Sequence, residues 1–111
     1  MRFAILYAGR DPELVRQWTK PLTMAGYRVV AVIDPLEIIG KLFSGEFDLI
    51  LLCESLPKAE RGRLARLARD HGPSIPILII DEQEGMDYDL GVRAVLGQPD
   101  KIVAAVQNSL N

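Results

Sequence analysis

Few side chains in this chain carry the chemistry of a nucleophile, a general base or a metal ligand. The single cysteine, Cys53, ends the apolar run LILLC. A thiol becomes nucleophilic and oxidisable when a neighbouring cation lowers its pKa, and Arg10 is the candidate cation. Against that, cysteine is among the most buried residue types, and a thiol closing an apolar strand packs as an inert small hydrophobe. The single histidine, His71, stands beside Gly72-Pro73, at the end of the sheet opposite Cys53, so no His-Asp pair supports nucleophilic catalysis. Arg10 and Asp81 are expected at one sheet edge, where a guanidinium–carboxylate pair would lock the domain in one state. The alternative is a solvated arginine in a weak surface contact.

Two charged segments complete the inventory. Asp81, Glu82, Glu84, Asp87 and Asp89 form an acidic stretch without the ligand spacing of a calcium loop. Lys58, Arg61, Arg63, Arg66 and Arg69 face a single acid, Glu60, on a segment with helical spacing. That row is either a docking face for an acidic partner or a solvated helix surface. Glycine-rich phosphate loops and metal-ligand clusters are absent from the sequence.

The elements that must position these residues are legible as apolar runs alternating with helical patterns. FAILYA (3–8), RVVAVI (28–33), LILLC (49–53) and IPILII (75–80) read as strands, with a weaker fifth at 94–96. The third and fourth are apolar without alternation, as strands covered on both faces are. Asp11-Pro12-Glu13 caps and opens a first helix with Leu14, Val15, Trp18, Leu22 and Ala25 inward. Pro21 is expected to kink or end it. A second helix over 35–43 places Leu36, Ile39, Leu42 and Phe43 inward. A third over 59–69 buries Leu64, Leu67 and Ala68, and a last one covers 100–110. Repeated βαβ units of this kind predict a doubly wound parallel sheet. Sixteen residues between Asp81 and Gln98 must hold both a helix and the fifth strand, so that helix is short or missing.

At 111 residues the chain is read as one domain, 1–111, with 49% apolar and 25% charged residues. A net charge of -2 disfavours a nucleic-acid or anionic-membrane surface. One cysteine implies no oxidising compartment, and no apolar stretch reaches the ~20 residues of a membrane span, so a soluble cytoplasmic domain is expected.

Taken in order, the segments ILYAGRDPEL, AGYRVVAVIDPLEIIGKL, FDLILLCESLP, SIPILIIDE and GVRAVLGQP resemble a response-regulator receiver almost end to end. The resemblance implies a flavodoxin-like α/β fold, a five-stranded parallel sheet of order 2-1-3-4-5 with its functional edge at the strand C-termini. Receivers place two acids for Mg²⁺, a phosphoacceptor Asp, a Ser or Thr and a Lys at that edge. The matching positions here are Gly9 and Arg10, Cys53, Asp81 and Gln98, and none keeps its family residue. The chain therefore resembles a degenerate pseudo-receiver: no enzyme, no cofactor, no metal and no Mg-dependent phosphoryl donor. Its expected role is a phosphorylation-independent protein-protein interaction module in two-component signal transduction, binding a protein partner or forming a homodimer. The family places contacts near the fourth helix and fifth strand, so Tyr88, Leu90 and Val92 are the candidate interaction surface. A redox or small-ligand sensor built on Cys53 and the edge crevice stays open as the other reading. The family's usual cis bond is expected at Gln98–Pro99.

Overall fold

The apolar runs become strands, and the central ones bury both of their faces between helices. The computed structural model describes residues 3–45, 47–72, 74–87 and 91–110. Strands β1 (Ala4–Ala8), β2 (Arg28–Val32), β3 (Leu49–Leu52) and β4 (Ile77–Asp81) are followed by a short β5 (Gly85–Asp87) and by β6 (Val92–Leu96). Around them lie α1 (Pro12–Met24), α2 (Pro35–Ser44), α3 (Lys58–His71) and α4 (Pro99–Leu110). The sheet order is β2-β1-β3-β4-β6-β5. All pairings are parallel except the antiparallel hairpin of β5 with β6. The five parallel strands thus have the expected flavodoxin-like 2-1-3-4-5 order, with β6 in the fifth place.

Every residue of β1 and β3 is buried, since alternate side chains enter two separate cores. Ile5, Tyr7, Leu49, Leu51 and Ile80 pack with Trp18 and Leu22 of α1 and Ile102 and Val106 of α4. Leu6, Ala8, Ile50, Leu52 and Ile77 pack with Ile38 and Leu42 of α2 and Leu64 and Ala68 of α3. Two Asp-Pro pairs set the helix starts that follow β1 and β2. The Asp11 carboxylate accepts from Glu13 N at 3.0 Å, and Asp34 accepts from Leu36 N at 2.8 Å. Each proline then sits at the first helical positions, where no backbone donor is missed.

Several expectations are corrected. Helix α1 runs through Pro21 to Met24 instead of ending there. The backbone bond forfeited by Pro21 is the one to the carbonyl of Gln17, an exposed residue. Helix α2 is turned so that Ile38 and Leu42 are buried, while Leu36 is 81% and Phe43 52% exposed. The helix expected to be short or missing is, as expected, absent among the described residues between β4 and β6. Instead, the glycine-bearing segment contributes β5, whose pairing of Met86 with Arg93 adds an edge strand. Val92 belongs to β6 and is buried at 4% exposure, so it is part of the core and not of an interaction surface. It pairs with Ile77 and joins the α2–α3 core. Tyr88 and Leu90 lie outside the described residues. The Gln98–Pro99 bond is trans, and Pro99 opens α4 while the Gln98 carbonyl accepts from Ile102 N at 2.9 Å.

The orientation of α2 is directly testable by denaturant unfolding. Leu42→Ala is expected to cost about 2–5 kcal/mol. Leu36→Ser is expected to change stability by no more than ~0.5 kcal/mol. The reverse ranking would place Leu36 in the core.

Candidate functional site

The strand order brings the loops after β1, β3, β4 and β6 to one edge, with β3 in the middle. Gly9 follows β1 and is buried. Its backbone N–H donates to Val32 O at 3.1 Å, while Cys53 N donates to Ala8 O at 2.7 Å. These bonds draw the ends of β1, β2 and β3 tightly together. A Cβ on Gly9 would collide with Val15 Cγ2 and lie 2.9 Å from Cys53 Cβ and 3.2 Å from Ser55 Oγ. Gly9 is not among the residues of positive φ, so glycine is required here by space and not by backbone conformation. Ser55 fills the remaining gap. Its hydroxyl oxygen accepts from Arg10 N at 2.9 Å and Asp11 N at 3.2 Å, stitching the loop after β3 to the start of α1.

The Arg10–Asp81 pair, one of the two readings open from the sequence, does not form. Arg10 Nη2 instead donates to Glu60 Oε2 at 2.6 Å, and Arg61 Nη1 meets Asp81 Oδ2 at 3.5 Å. Consecutive residues in the first turn of α3 therefore take up the two opposite charges of the sheet edge. The helix start intervenes between the loops after β1 and β4, and each charge finds the nearer partner. The Arg10–Glu60 pair has the shorter, charge-assisted geometry, and Glu60 is 16% exposed against 44% for Arg10. Asp81 is further engaged by Glu82 N, which donates to Oδ1 at 2.7 Å. Gln98 is exposed and stands just before α4.

Cys53 has no exposed surface and sits in the α1–α4 core beside Tyr7. Burial holds the Tyr7 hydroxyl protonated well above the ordinary tyrosine range, with the hydrogen-bonded contact to Cys53 and the nearby Glu54 carboxylate acting in the same direction. The Tyr7 hydroxyl also donates to Leu14 O at 3.3 Å. Trp18 Nε1 is buried in the same core without a hydrogen-bond partner among the described residues. The thiol thus belongs to packing beneath the edge and is not presented to a solute.

These residues do not fit the Mg²⁺ that the receiver fold implies. The place of one ligand has no room for a side chain, the next is a guanidinium bound to Glu60, and the third is a buried thiol. Among the described residues no three of His, Cys, Asp and Glu gather to hold a metal ion. Ser55 and Glu60 are partners of Arg10 that spacing alone did not single out. The one signal was Glu60 as the lone acid in the arginine row. The acidic stretch is dispersed: Asp81 faces Arg61 and Glu84 lies 3.8 Å from Lys101.

No protein-family model matches the chain. Among curated proteins it is 27% identical over 92 residues to an uncharacterized 76.5 kDa protein in the phbC 3' region of Thiocystis violacea, a match covering 81% of this chain. The match spans only 13% of that protein's length. Solved structures share the fold at low identity. A CheY-like response regulator receiver domain of Methanospirillum hungatei JF-1 is 19% identical with a TM-score of 0.85, over 99% of this chain and 94% of that one. The chemotaxis response regulator CheY4 of Vibrio cholerae is 18% identical with a TM-score of 0.85, over 99% and 100%. A putative response regulator of Chloroflexus aurantiacus J-10-fl is 20% identical with a TM-score of 0.85, over 99% and 98%. No helix among the described residues is long and apolar enough to cross a membrane.

The tight approach at Gly9 yields a specific expectation. Gly9→Ala should lower stability by about 1–3 kcal/mol in denaturant unfolding. Val15→Ala, though destabilising alone, should recover part of that loss in the double variant, because it removes the colliding methyl. Strict additivity of the two changes would contradict the packing described.

Proposed function

We propose that this chain is a phosphorylation-independent receiver-like domain that serves bacterial signal transduction as a protein-protein interaction module. It is read as a binding domain without catalytic activity. The observation that carries this reading is the closed edge. On a receiver framework, the space for the metal-binding acids holds a side-chain-free Gly9, and the next position is an arginine neutralised by Glu60 at 2.6 Å. Phosphoryl transfer depends on positioned metal and cationic groups that stabilise charge on the transferred oxygens. With Cys53 for an acceptor carboxylate, Asp81 for a hydroxyl and Gln98 for a cation, each of those functions lacks its group.

The ion pairs that close the edge also suggest how the domain works without phosphorylation. They join the loops after β1 and β4 to the first turn of α3, holding one arrangement of elements that a phosphorylated receiver would have to select. A domain whose loops are tied to one helix in this way presents one surface, which suits a scaffold or docking module. The match to a small part of a much longer Thiocystis violacea protein fits a module used within larger polypeptides. The alternative of redox sensing at Cys53 has little support, since its thiol is fully buried in the core.

Incubation with acetyl phosphate and Mg²⁺, followed by intact-mass measurement, should give no phosphoryl adduct. The variant Cys53→Asp should give none either, since the metal position is still closed by Gly9 and Arg10. An adduct on the unmodified chain would overturn the reading.

A further inference from the structure

We propose that the face formed by α2 and α3 is the docking surface of this module, and that its occupant is an amphipathic helix of a partner protein with carboxylates flanking its apolar side. The inference rests on the interaction-module reading and names its surface and the partner's chemistry.

Helix α2 carries more apolar surface than the sheet buries. At ~100° per residue, Ile38 and Leu42 occupy one side and Leu36, Ile39 and Phe43 the adjoining side. The first two are buried, Ile39 is half-buried, and Leu36 and Phe43 are exposed. An apolar arc this wide on an isolated surface helix exceeds what an amphipathic core contact needs. The excess side runs along the seam with α3, where a notch of about 310 Å³ opens, with Ile39 and Leu64 at its base and Arg10 and Arg63 at its rim. Leu36 and Phe43 continue that stripe in both directions at the i, i+3, i+7 spacing by which a partner helix is gripped.

Charge identifies the partner. The arginines of α3 divide by role. Arg61 meets Asp81, and Arg69 donates to Ile75 O at 2.6 Å and to Gly91 O at 3.2 Å, so both hold the fold. Arg63 and Arg66 are exposed and make no ion pair among the described residues. The one acid in the first turn of α3, Glu60, is already occupied by Arg10. In a chain of net charge -2, an apolar stripe bordered by Arg63, which has no ion pair among the described residues, with Arg66 exposed further along α3, is a local reversal of sign, complementary to an acidic amphipathic segment. Nucleic acid lacks the apolar ridge that Leu36 and Phe43 would need to cover.

The test uses the whole chain and a synthetic helical peptide with leucines at i, i+3 and i+7 flanked by glutamates, beside the same peptide with lysines for the glutamates. Fluorescence anisotropy of labelled peptide should show saturable binding of the glutamate form, at least tenfold tighter than the lysine form and weakened by salt. Amide shifts should centre on residues 36–43 and 63–66. Leu36→Ser and Arg63→Glu, both at exposed positions, should each weaken binding at least tenfold with the thermal unfolding midpoint retained. Absence of saturable binding, equal binding of the two peptides, or shifts centred on α4 and β6 would overturn the proposal. Concentration-dependent self-association abolished by Leu36→Ser would also overturn it, because the occupant would then be a second copy. Failure here with no phosphoryl adduct on acetyl phosphate removes only the surface. An adduct removes the interaction-module reading itself.

Discussion

At the sheet's carboxyl edge Gly9 lies so near Val15 and Cys53 that no Cβ would fit, and the arrangement of that edge follows from it. With no Cβ at residue 9, the loop after β1 can lie against the end of β3, and Cys53 N reaches Ala8 O at 2.7 Å. That proximity lets the Ser55 hydroxyl accept from the backbone N–H groups of both Arg10 and Asp11. It also aims Arg10 at the first turn of α3, where Glu60 receives it. A side chain at residue 9 would force the loops apart, and a metal site of the receiver kind requires side chains at just this place.

Charge at the edge is balanced within the protein. Glu60 and Arg61 are adjacent on α3 yet point to different loops, one to Arg10 and the other to Asp81. Ion pairs that are partly exposed contribute little to stability, about 0–1 kcal/mol each. Their consequence is geometric: the loops after β1 and β4 are both referred to one rigid helix. The same helix turns Arg63 outward beside the apolar stripe of α2, so the sheet edge and the α2–α3 face share an element.

Much of the fold was legible because its signals were local and agreed with one another. LILLC and IPILII had the length and burial pattern of central strands, and Asp11-Pro12 marked a helix start that its cap hydrogen bond realises. What was not legible depended on tertiary partners. The inward side of α2 could not be chosen from PLEIIGKLFS, because apolar residues occupy more than half of its circumference. Pro21 looked like a terminus, since propensity does not say that the bond it forfeits is to the carbonyl of an exposed residue, Gln17. Strand β5 was hidden in an acidic, glycine-bearing segment that pairs only because β6 offers an edge. At the site, the five positions matched to the receiver pattern could be picked out by residue type, but their charge partners could not. Arg10 and Asp81 attracted each other on paper, and only the placement of α3 assigned each to a neighbour.

The central claim is that this edge is closed to a metal ion and a phosphoryl group. The most direct measurement is a backbone amide NMR titration of the whole chain with Mg²⁺ and beryllofluoride, following residues 9, 10, 53, 55, 60 and 81. The packing of Gly9 and the Arg10–Glu60 pair predict that none of these signals moves saturably. A saturable set of shifts confined to those residues would show that the edge opens to receive the ligands, and would contradict the account.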